Sequence, residues 1–171
     1  LGVDPTGADL HLGHAVVLRM VRRFQDLGHQ AVLVVGGFTA TIGDPTGRDA
    51  TRPSLSAEQV AVNAATYFAQ AGLVLDVSTL QVVNNGHLGD LTLRELVPIL
   101  ATATANQLLQ KEGFGDRLAK GGSLALLEML YPLRQAHDSL TVVADVEVGG
   151  SDQRFNVLMG RQMQSHFGKD R

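Results

Sequence analysis

An unbroken apolar run, Ala31–Val35, constrains the fold of this chain more than any other stretch. A run this rich in valine is typical of a strand that is buried on both faces of a parallel sheet. Before it, apolar residues from Val17 to Leu27 recur at helical spacing, and Leu1–Val3 has the character of another buried strand. Strand, helix and strand of this length predict a right-handed βαβ unit, with Gly28 closing the helix.

The rest of the chain predicts more helices and strands. The Gly-rich polar stretch 36–48 is predicted to be a long loop after the second strand, at the sheet edge where open α/β sheets bind ligands. A capping-box pattern at Ser56 predicts a helix to about Ala71. The other predictions are a strand at 81–83, a helix opening at Thr92, a partly helical stretch over 101–120, a helix over 123–140 that Pro132 bends or interrupts, a strand at 142–148, and a helix over 151–167 closed by Gly168.

The segment His11-Leu12-Gly13-His14 lies where the first strand and turn give way to the first helix. A helix N-terminus binds anions, because its free N–H groups point outward and the helix dipole adds partial positive charge. The two imidazoles can donate hydrogen bonds to phosphate, and Gly13 leaves room for a flat ligand. The motif favours a nucleotide site, with a metal pair, a helix cap or chance as alternatives.

Composition and missing motifs exclude several classes of protein. Of 171 residues, 44% are hydrophobic and 18% charged, which is typical of one globular domain. The net charge of -3 argues against a general basic face for nucleic acid. The absence of cysteine excludes disulfides and thiolate metal sites, and it fits a cytoplasmic protein. Neither a Walker A loop, nor G-x-G-x-x-G, nor G-x-S-x-G is present, nor is a signal peptide or a membrane-spanning run.

Carboxylate and amide side chains cluster at the predicted ends of elements. They are Asp44 after the second strand, Tyr131, Gln135 and Asp138 on one helix face, and Asp152 and Gln153 at the start of the last helix. If they converge, they form an amino-acid site, which beside a nucleotide site predicts carboxyl activation by ATP. The plainer alternatives are a core tyrosine, a solvated helix face, turn chemistry and a helix N-terminal charge.

Several segments together carry a resemblance to a known family. They are Gly2–Thr6, Leu10–His14, Phe24–His29, Gly43–Arg48, Tyr131–Leu133 with Gln135, Ala136 and Asp138, and Gly149–Asn156. In this combination the chain resembles the catalytic domain of bacterial tyrosyl-tRNA synthetases over nearly its whole length. The resemblance implies an α/β fold with a Rossmann-like, doubly wound parallel sheet. It also implies a helical connecting and dimer segment over about 89–122.

The resemblance also implies an activity and a set of site residues. The implied enzyme activates L-tyrosine with ATP, which enters as its Mg²⁺ complex, and transfers the tyrosyl group to tRNA(Tyr). It is implied to be a cytoplasmic homodimer that needs no permanent cofactor, protein-bound metal or membrane. The residues that act in the reaction are Thr6, His11, His14, Arg48 and Arg52, the arginines belonging to a mobile loop that closes over pyrophosphate. The ATP-binding residues are Gly2, Asp4, Gly13, His14, Gly150 and Asp152. The tyrosine-binding residues are Asp44, Tyr131, Gln135, Asp138 and Gln153, with Asp138 accepting the phenolic hydroxyl.

The sequence departs from the family at His137, where the family usually carries tyrosine. We expect the chain to be a piece of a longer protein, because a further tyrosine, the K-M-S-K-S signature and the anticodon-binding region of the family lie outside Leu1–Arg171. Without that signature we expect tyrosine binding to exceed ATP turnover. Two alternatives stay open. One is a tryptophanyl-type synthetase, which Asp138 and the G-x-D-P-T opening disfavour, and the other is a non-catalytic paralogue.

Overall fold

A computed structural model of the chain describes residues 1–45 and 55–169, with the backbone alone at 87–89. Its sheet has three parallel strands in the order β1 (Gly2–Val3), β2 (Val32–Val35) and β3 (Gln81–Asn84). Helix α1 (Leu12–Asp26) joins β1 to β2, as predicted. The further helices are α2 (Thr39–Ile42), α3 (Ala57–Ala64), α4 (Tyr67–Ala71), α5 (Leu93–Leu100), α6 (Ala105–Leu108), α7 (Phe114–Ala119), α8 (Leu126–Val142) and α9 (Arg154–His166), with 3-10 turns at Asn85–Asp90 and Ser151–Gln153.

The strand register brings the carboxyl ends of the three strands to one edge of the sheet. The last residue of β1 pairs with the last residue of β2, which in turn pairs with the last residue of β3. Asp4, Gly36 and Asn85 therefore leave their strands side by side. This edge is where parallel α/β sheets bind ligands, and it positions the site described below.

Two apolar clusters hold the elements together. One lies between α1, the sheet and the end of α4, and its buried members are Leu18, Val21, Ala31, Leu33, Val35, Ala71 and Leu75. The other joins α5, α6, α8 and α9, and its buried members are Ile99, Leu108, Leu133, Ala136, Met159 and Met163. The apolar periodicity of α1 corresponds to a buried face only in part, because Leu18 and Val21 are buried whereas Met20 is 44% and Leu27 is 76% exposed.

The local signals for helix ends are confirmed. Gly28 follows α1 with a φ of 86°, the left-handed conformation that favours glycine after a helix. At the start of α3, the Ser56 hydroxyl accepts from the Gln59 N–H, and the Gln59 side chain accepts from the Ser56 N–H. Such caps form between residues three positions apart, so the sequence alone is enough to predict them.

Three predicted elements differ in detail from the structure. The stretch predicted as a loop after β2 contains α2, whose Thr39, Ala40 and Ile42 are buried. The helix predicted over 56–71 is divided into α3 and α4 by a turn at 65–66. α8 continues through Pro132, which is buried inside it, rather than being interrupted there.

The strand predicted at 142–148 is wrong. α8 runs to Val142, and Val143 follows with a φ of 53°, an uncommon conformation for a β-branched residue. In this stretch Val143 is 79% exposed and Val146 55% exposed, and neither pairs with a strand of the described sheet. Valine-rich sequence forms a strand only where a neighbouring strand and a buried face are available.

No helix in the described ranges is both long enough and apolar enough to cross a membrane. Within the same ranges, histidine and carboxylate side chains nowhere gather in a group of three that could hold a metal ion.

The contact between α8 and α9 makes a testable prediction. A Cβ at Gly160 of α9 would lie 2.6 Å from the Ser139 hydroxyl oxygen and 3.0 Å from its Cβ, whereas a Cβ at Gly115 of α7 would meet only a backbone oxygen at 3.7 Å. We expect Gly160→Ala to lower the free energy of unfolding by about 1–3 kcal/mol through overpacking. Gly115→Ala should raise it by up to about 1 kcal/mol, because alanine favours helix. Urea denaturation measures both, and equal effects would contradict the packing argument.

Candidate active site

A cavity of about 380 Å³ opens at the carboxyl edge of the sheet, between the N-terminus of α1, the helix α8 and the start of α9. Every predicted site residue within the described ranges contributes to its lining. These residues are Gly2, Asp4, Thr6, His11, Gly13, His14, Asp44, Tyr131, Gln135, Asp138, Gly150, Asp152 and Gln153. Arg48 and Arg52 lie outside the described residues. The structure therefore brings together groups that the sequence placed in four separate segments.

The N-terminus of α1 carries the paired imidazoles at one end of this cavity. His11 is the N-cap, and its Nδ1 accepts from the Gly13 N–H at 3.1 Å. His14 Nδ1 accepts from the His11 N–H at 3.2 Å, and the two ring centroids are 4.0 Å apart. Because each Nδ1 is an acceptor, the hydrogen of each neutral ring lies on Nε2, where it can be donated to an anion.

His14 is the more buried of the two imidazoles and lies edge-on to the buried Tyr67 ring, with centroids 6.4 Å apart. Burial, and then repulsion from His11, lower the pKa of His14 below its ordinary value of 6.5. A neutral ring is therefore the form that folding favours. Its hydrogen-bond donation to a phosphate would not require a charged imidazolium beforehand.

Asp4, directly after β1, connects two helices across the floor of the cavity. Its Oδ1 accepts from the Thr39 hydroxyl at 2.6 Å, and its Oδ2 accepts from the Tyr131 hydroxyl at 2.8 Å. A Cβ at Gly36 would collide with the Asp4 carboxylate and with Thr39, so the close approach requires glycine there. Burial, reinforced by Asp4, raises the pKa of Tyr131 well above its usual range, so its hydroxyl stays protonated and donating.

Asp138 on α8 is held by a buried asparagine that sequence reasoning missed. Asn85 is 1% exposed, and its Nδ2 donates to Asp138 Oδ2 at 2.8 Å and to the Thr39 hydroxyl at 3.1 Å. Its Oδ1 accepts from the Phe38 N–H at 3.0 Å. Its position after β3 is the same kind of signal that marked Asp44 after β2, so the strand-end rule would have found it.

A second cluster, of amides and carboxylates, lies where α8 meets the start of α9. Asn156 is fully buried, and its Nδ2 donates to the Oε1 atoms of Gln135 and Gln153, both at 2.8 Å. Gln153 Nε2 donates to Asp44 Oδ2 at 2.7 Å and to Asp152 Oδ2 at 2.8 Å. Asn156 belongs to a segment that carries the resemblance, yet no spacing rule identified it as part of this cluster.

The two ends of the cavity differ in chemistry. The α1 end offers imidazole donors and a helix N-terminus, which suit an anion such as phosphate. The opposite side is lined by the carboxylates Asp4, Asp44 and Asp138, which suit an ammonium group and a hydroxyl donor. One ligand with a cationic end and another with an anionic end could therefore meet in this space.

The parallel sheet with its surrounding helices is the fold of a solved tyrosyl-tRNA synthetase structure. The sequence profile of the family described as tRNA synthetases class I (W and Y) matches residues 1–171, and the chain belongs to that family. The Rossmann-like fold expected from the sequence is thereby confirmed.

Individual relatives agree with this assignment. The chain is 53% identical to the tyrosine–tRNA ligase of Prochlorococcus marinus (strain MIT 9313) over 178 residues, covering 98% of the chain and 43% of that protein. It is 50% identical to the tyrosine–tRNA ligase of Synechococcus elongatus over 172 residues, with the same coverage of 98% and 43%. The crystal structure of a C-terminally truncated mitochondrial tyrosyl-tRNA synthetase from Aspergillus nidulans superposes with a TM-score of 0.84 at 25% identity, covering 99% of this chain and 52% of that one. The chain thus spans less than half the length of these curated relatives.

The pairing of the two imidazoles makes a testable prediction. In a His11→Asn variant, asparagine keeps an N-cap acceptor but removes the neighbouring ring. We expect the pKa of His14 to rise and yet to stay below 6.5, because burial is the larger cause of its shift. Since the unfolded chain binds that proton more tightly, the free energy of unfolding should fall as pH drops through 6.5 in both proteins.

An NMR titration of the His14 ring measures this shift. The signals of residues far from α1 provide the control for an intact fold and should coincide in both proteins. A His14 pKa that is unchanged or lower in the variant would contradict the coupling between the two rings.

Proposed function

We propose that the protein containing this chain is a tyrosine–tRNA ligase, which forms tyrosyl-adenylate from L-tyrosine and ATP and then transfers the tyrosyl group to tRNA(Tyr). The observation that carries the proposal is the presence, in one cavity, of an imidazole pair at a helix N-terminus and of a carboxylate, Asp138, anchored by Asn85. The names of the relatives at 50–53% identity support tyrosine rather than tryptophan as the amino acid.

ATP, entering as its magnesium complex, would place its phosphates at the N-terminus of α1. His11 and His14 would donate from Nε2 to phosphate oxygens, with Thr6 assisting and Gly13 allowing close approach. A Cβ at Gly13 would also lie only 2.9 Å from His11 Cε1, so glycine leaves room for that ring as well. The other ATP contacts that we propose are Gly2, Asp4, Gly150 and Asp152 around the base and ribose, and Arg48 and Arg52 at pyrophosphate.

Tyrosine would lie on the carboxylate side of the cavity. Asp44, Tyr131 and Gln135 would hold its ammonium group, because carboxylate, hydroxyl and amide oxygens all accept hydrogen bonds. Gln153 would face its carboxylate, and Asp138 would accept its phenolic hydrogen. A buried acceptor left unpaired by phenylalanine disfavours that analogue by about 10⁴–10⁵.

The reaction needs positioning more than covalent help from the protein. An oxygen of the tyrosine carboxylate attacks the α-phosphorus, the bond from that phosphorus to the bridging oxygen breaks, and pyrophosphate leaves. Charge builds up on the phosphate oxygens at the transition state, where the imidazole donors and the helix dipole stabilise it.

We also propose that the helical stretch over about 89–122 contributes to a homodimer. Apolar side chains on this stretch and at the start of α8 are exposed, with Leu93 at 73%, Val97 at 55% and Leu126 at 80%. Leu93 and Val97 lie one turn apart on α5, and exposed apolar patches of this kind mark protein interfaces. The absence of cysteine fits the reducing cytoplasm, where we place the protein.

Tyrosine-dependent exchange between ATP and pyrophosphate, measured on the full-length protein, tests the proposed activity. We expect exchange with tyrosine and little with phenylalanine or tryptophan. Exchange driven by tryptophan instead of tyrosine would overturn the proposal in favour of a tryptophanyl-type enzyme. A lack of exchange with every amino acid tested, although tyrosine binds, would overturn it in favour of a non-catalytic paralogue.

Asp138→Asn should weaken tyrosine specificity. An asparagine at this position can turn its NH₂ group toward the phenol or toward Asn85 Nδ2, and either orientation removes a charged acceptor. We expect kcat/KM for tyrosine to fall by roughly 10²-fold, with a smaller loss for phenylalanine. The matched control is Asp145→Asn, which changes an exposed carboxylate outside the cavity lining. It should leave the ratio of kcat/KM for tyrosine to kcat/KM for phenylalanine unchanged. An intact preference for tyrosine in Asp138→Asn would refute the role of Asp138.

A further inference from the structure

A buried lysine from the stretch between β3 and α8 contacts the amide cluster of the cavity. Lys111 is 2% exposed, and its Nζ donates to Asn156 Oδ1 at 3.1 Å. It lies in none of the segments that carry the family resemblance, and it does not line the cavity itself. Burial lowers the pKa of Lys111, while the nearby carboxylates Asp44, Asp152 and Glu112 oppose that shift and favour the charged form.

The lysine decides which way the Asn156 carboxamide faces. An ammonium group only donates hydrogen bonds, so the oxygen of Asn156 must be turned toward Lys111. The NH₂ group of Asn156 then points to the other side, where it donates to Gln135 Oε1 and Gln153 Oε1. If the amide were turned over, its oxygen would face two glutamine oxygens and its NH₂ group would face the ammonium. All three contacts would be repulsive, and Asn156 is fully buried, so water does not relieve the repulsion at its side chain.

The orientation of the Asn156 carboxamide also fixes the orientation of the two glutamine carboxamides that line the cavity. Because Gln153 presents its oxygen to Asn156, its NH₂ group is turned to the carboxylates of Asp44 and Asp152. Gln135 likewise turns its oxygen to Asn156. A chain of hydrogen bonds thus runs from Lys111 through Asn156 to the carboxylate that would hold the tyrosine ammonium.

We propose that Lys111 is a positioning residue for the amino-acid end of the cavity, where it sets the orientation of the Gln135 and Gln153 carboxamides through Asn156. This inference rests on the proposed function, to which it adds a residue from the helical stretch. It predicts an effect on tyrosine binding that is larger than the effect on ATP binding, because the oriented amides face the amino acid.

The test uses the full-length protein and two variants of this hydrogen-bond chain. Lys111→Met keeps an unbranched side chain, one heavy atom shorter, but removes the donors. Asn156→Asp keeps an oxygen acceptor for Lys111, so the buried lysine stays paired, but it removes the N–H groups that orient the two glutamines. In both variants we expect the KM for tyrosine in pyrophosphate exchange to rise about tenfold, with a change in the KM for ATP of less than about threefold.

Arg117→Met provides the matched control. Arg117 is another buried cation of the same helical stretch, 4% exposed, and its Nη2 pairs with Glu128 Oε2 at 2.8 Å outside the cavity lining. Its loss should lower Tm without raising the KM for tyrosine. An equal rise in this control would mean that general destabilisation is the cause and would overturn the positioning role.

The remaining outcomes separate the inference from the proposed function. Tyrosine-dependent exchange by the unmodified protein tests the function alone. With that exchange intact, an unchanged KM for tyrosine in Asn156→Asp overturns the positioning role of Lys111 and leaves the proposed function standing. Should Lys111→Met fail to fold, Asn156→Asp alone decides, because its buried lysine keeps an acceptor.

Discussion

The arrangement of the cavity depends on the hydrogen bonds that the Asp4 carboxylate accepts. It leaves β1 at the ligand-binding edge of the sheet and accepts hydrogen bonds from Thr39 on α2 and from Tyr131 on α8. Both its oxygens are therefore committed to helices that lie far apart in the sequence. Gly36 permits this because no side chain stands between β2 and the carboxylate. As a result, the sheet edge is held at a defined distance from α8, on which Tyr131, Gln135 and Asp138 line the cavity.

Buried asparagines extend this framework on either side. Asn85 holds Asp138, and Asn156 holds Gln135 and Gln153, with nearly all of each asparagine side chain removed from solvent. A carboxamide has both donors and an acceptor, so it can orient unlike neighbours at once. A site preorganised in this way spends little free energy on reorientation when a charged ligand arrives, which is what electrostatic catalysis requires.

The parts of the fold that sequence predicted are those determined by near neighbours in the chain. The cap at Ser56 and the end of α1 at Gly28 depend on residues within one helical turn. The buried run of β2 is apolar enough to be recognised alone. The strand predicted at 142–148 was wrong because β propensity describes the fit to a neighbouring strand, and no such neighbour is present in the described sheet.

The sequence by itself determined which chemical groups the site contains. The imidazole pair at a helix start, and Tyr131, Gln135 and Asp138 on one face of α8, follow from local periodicity, and all of them line one cavity. Only the tertiary structure decided that Tyr131 would bond to Asp4, 127 positions away, and that Lys111 would reach Asn156. The physical reason is that burial and the pairing of polar groups are settled by the packing of distant elements. A lysine with no motif around it has no local signal of the partner it will meet.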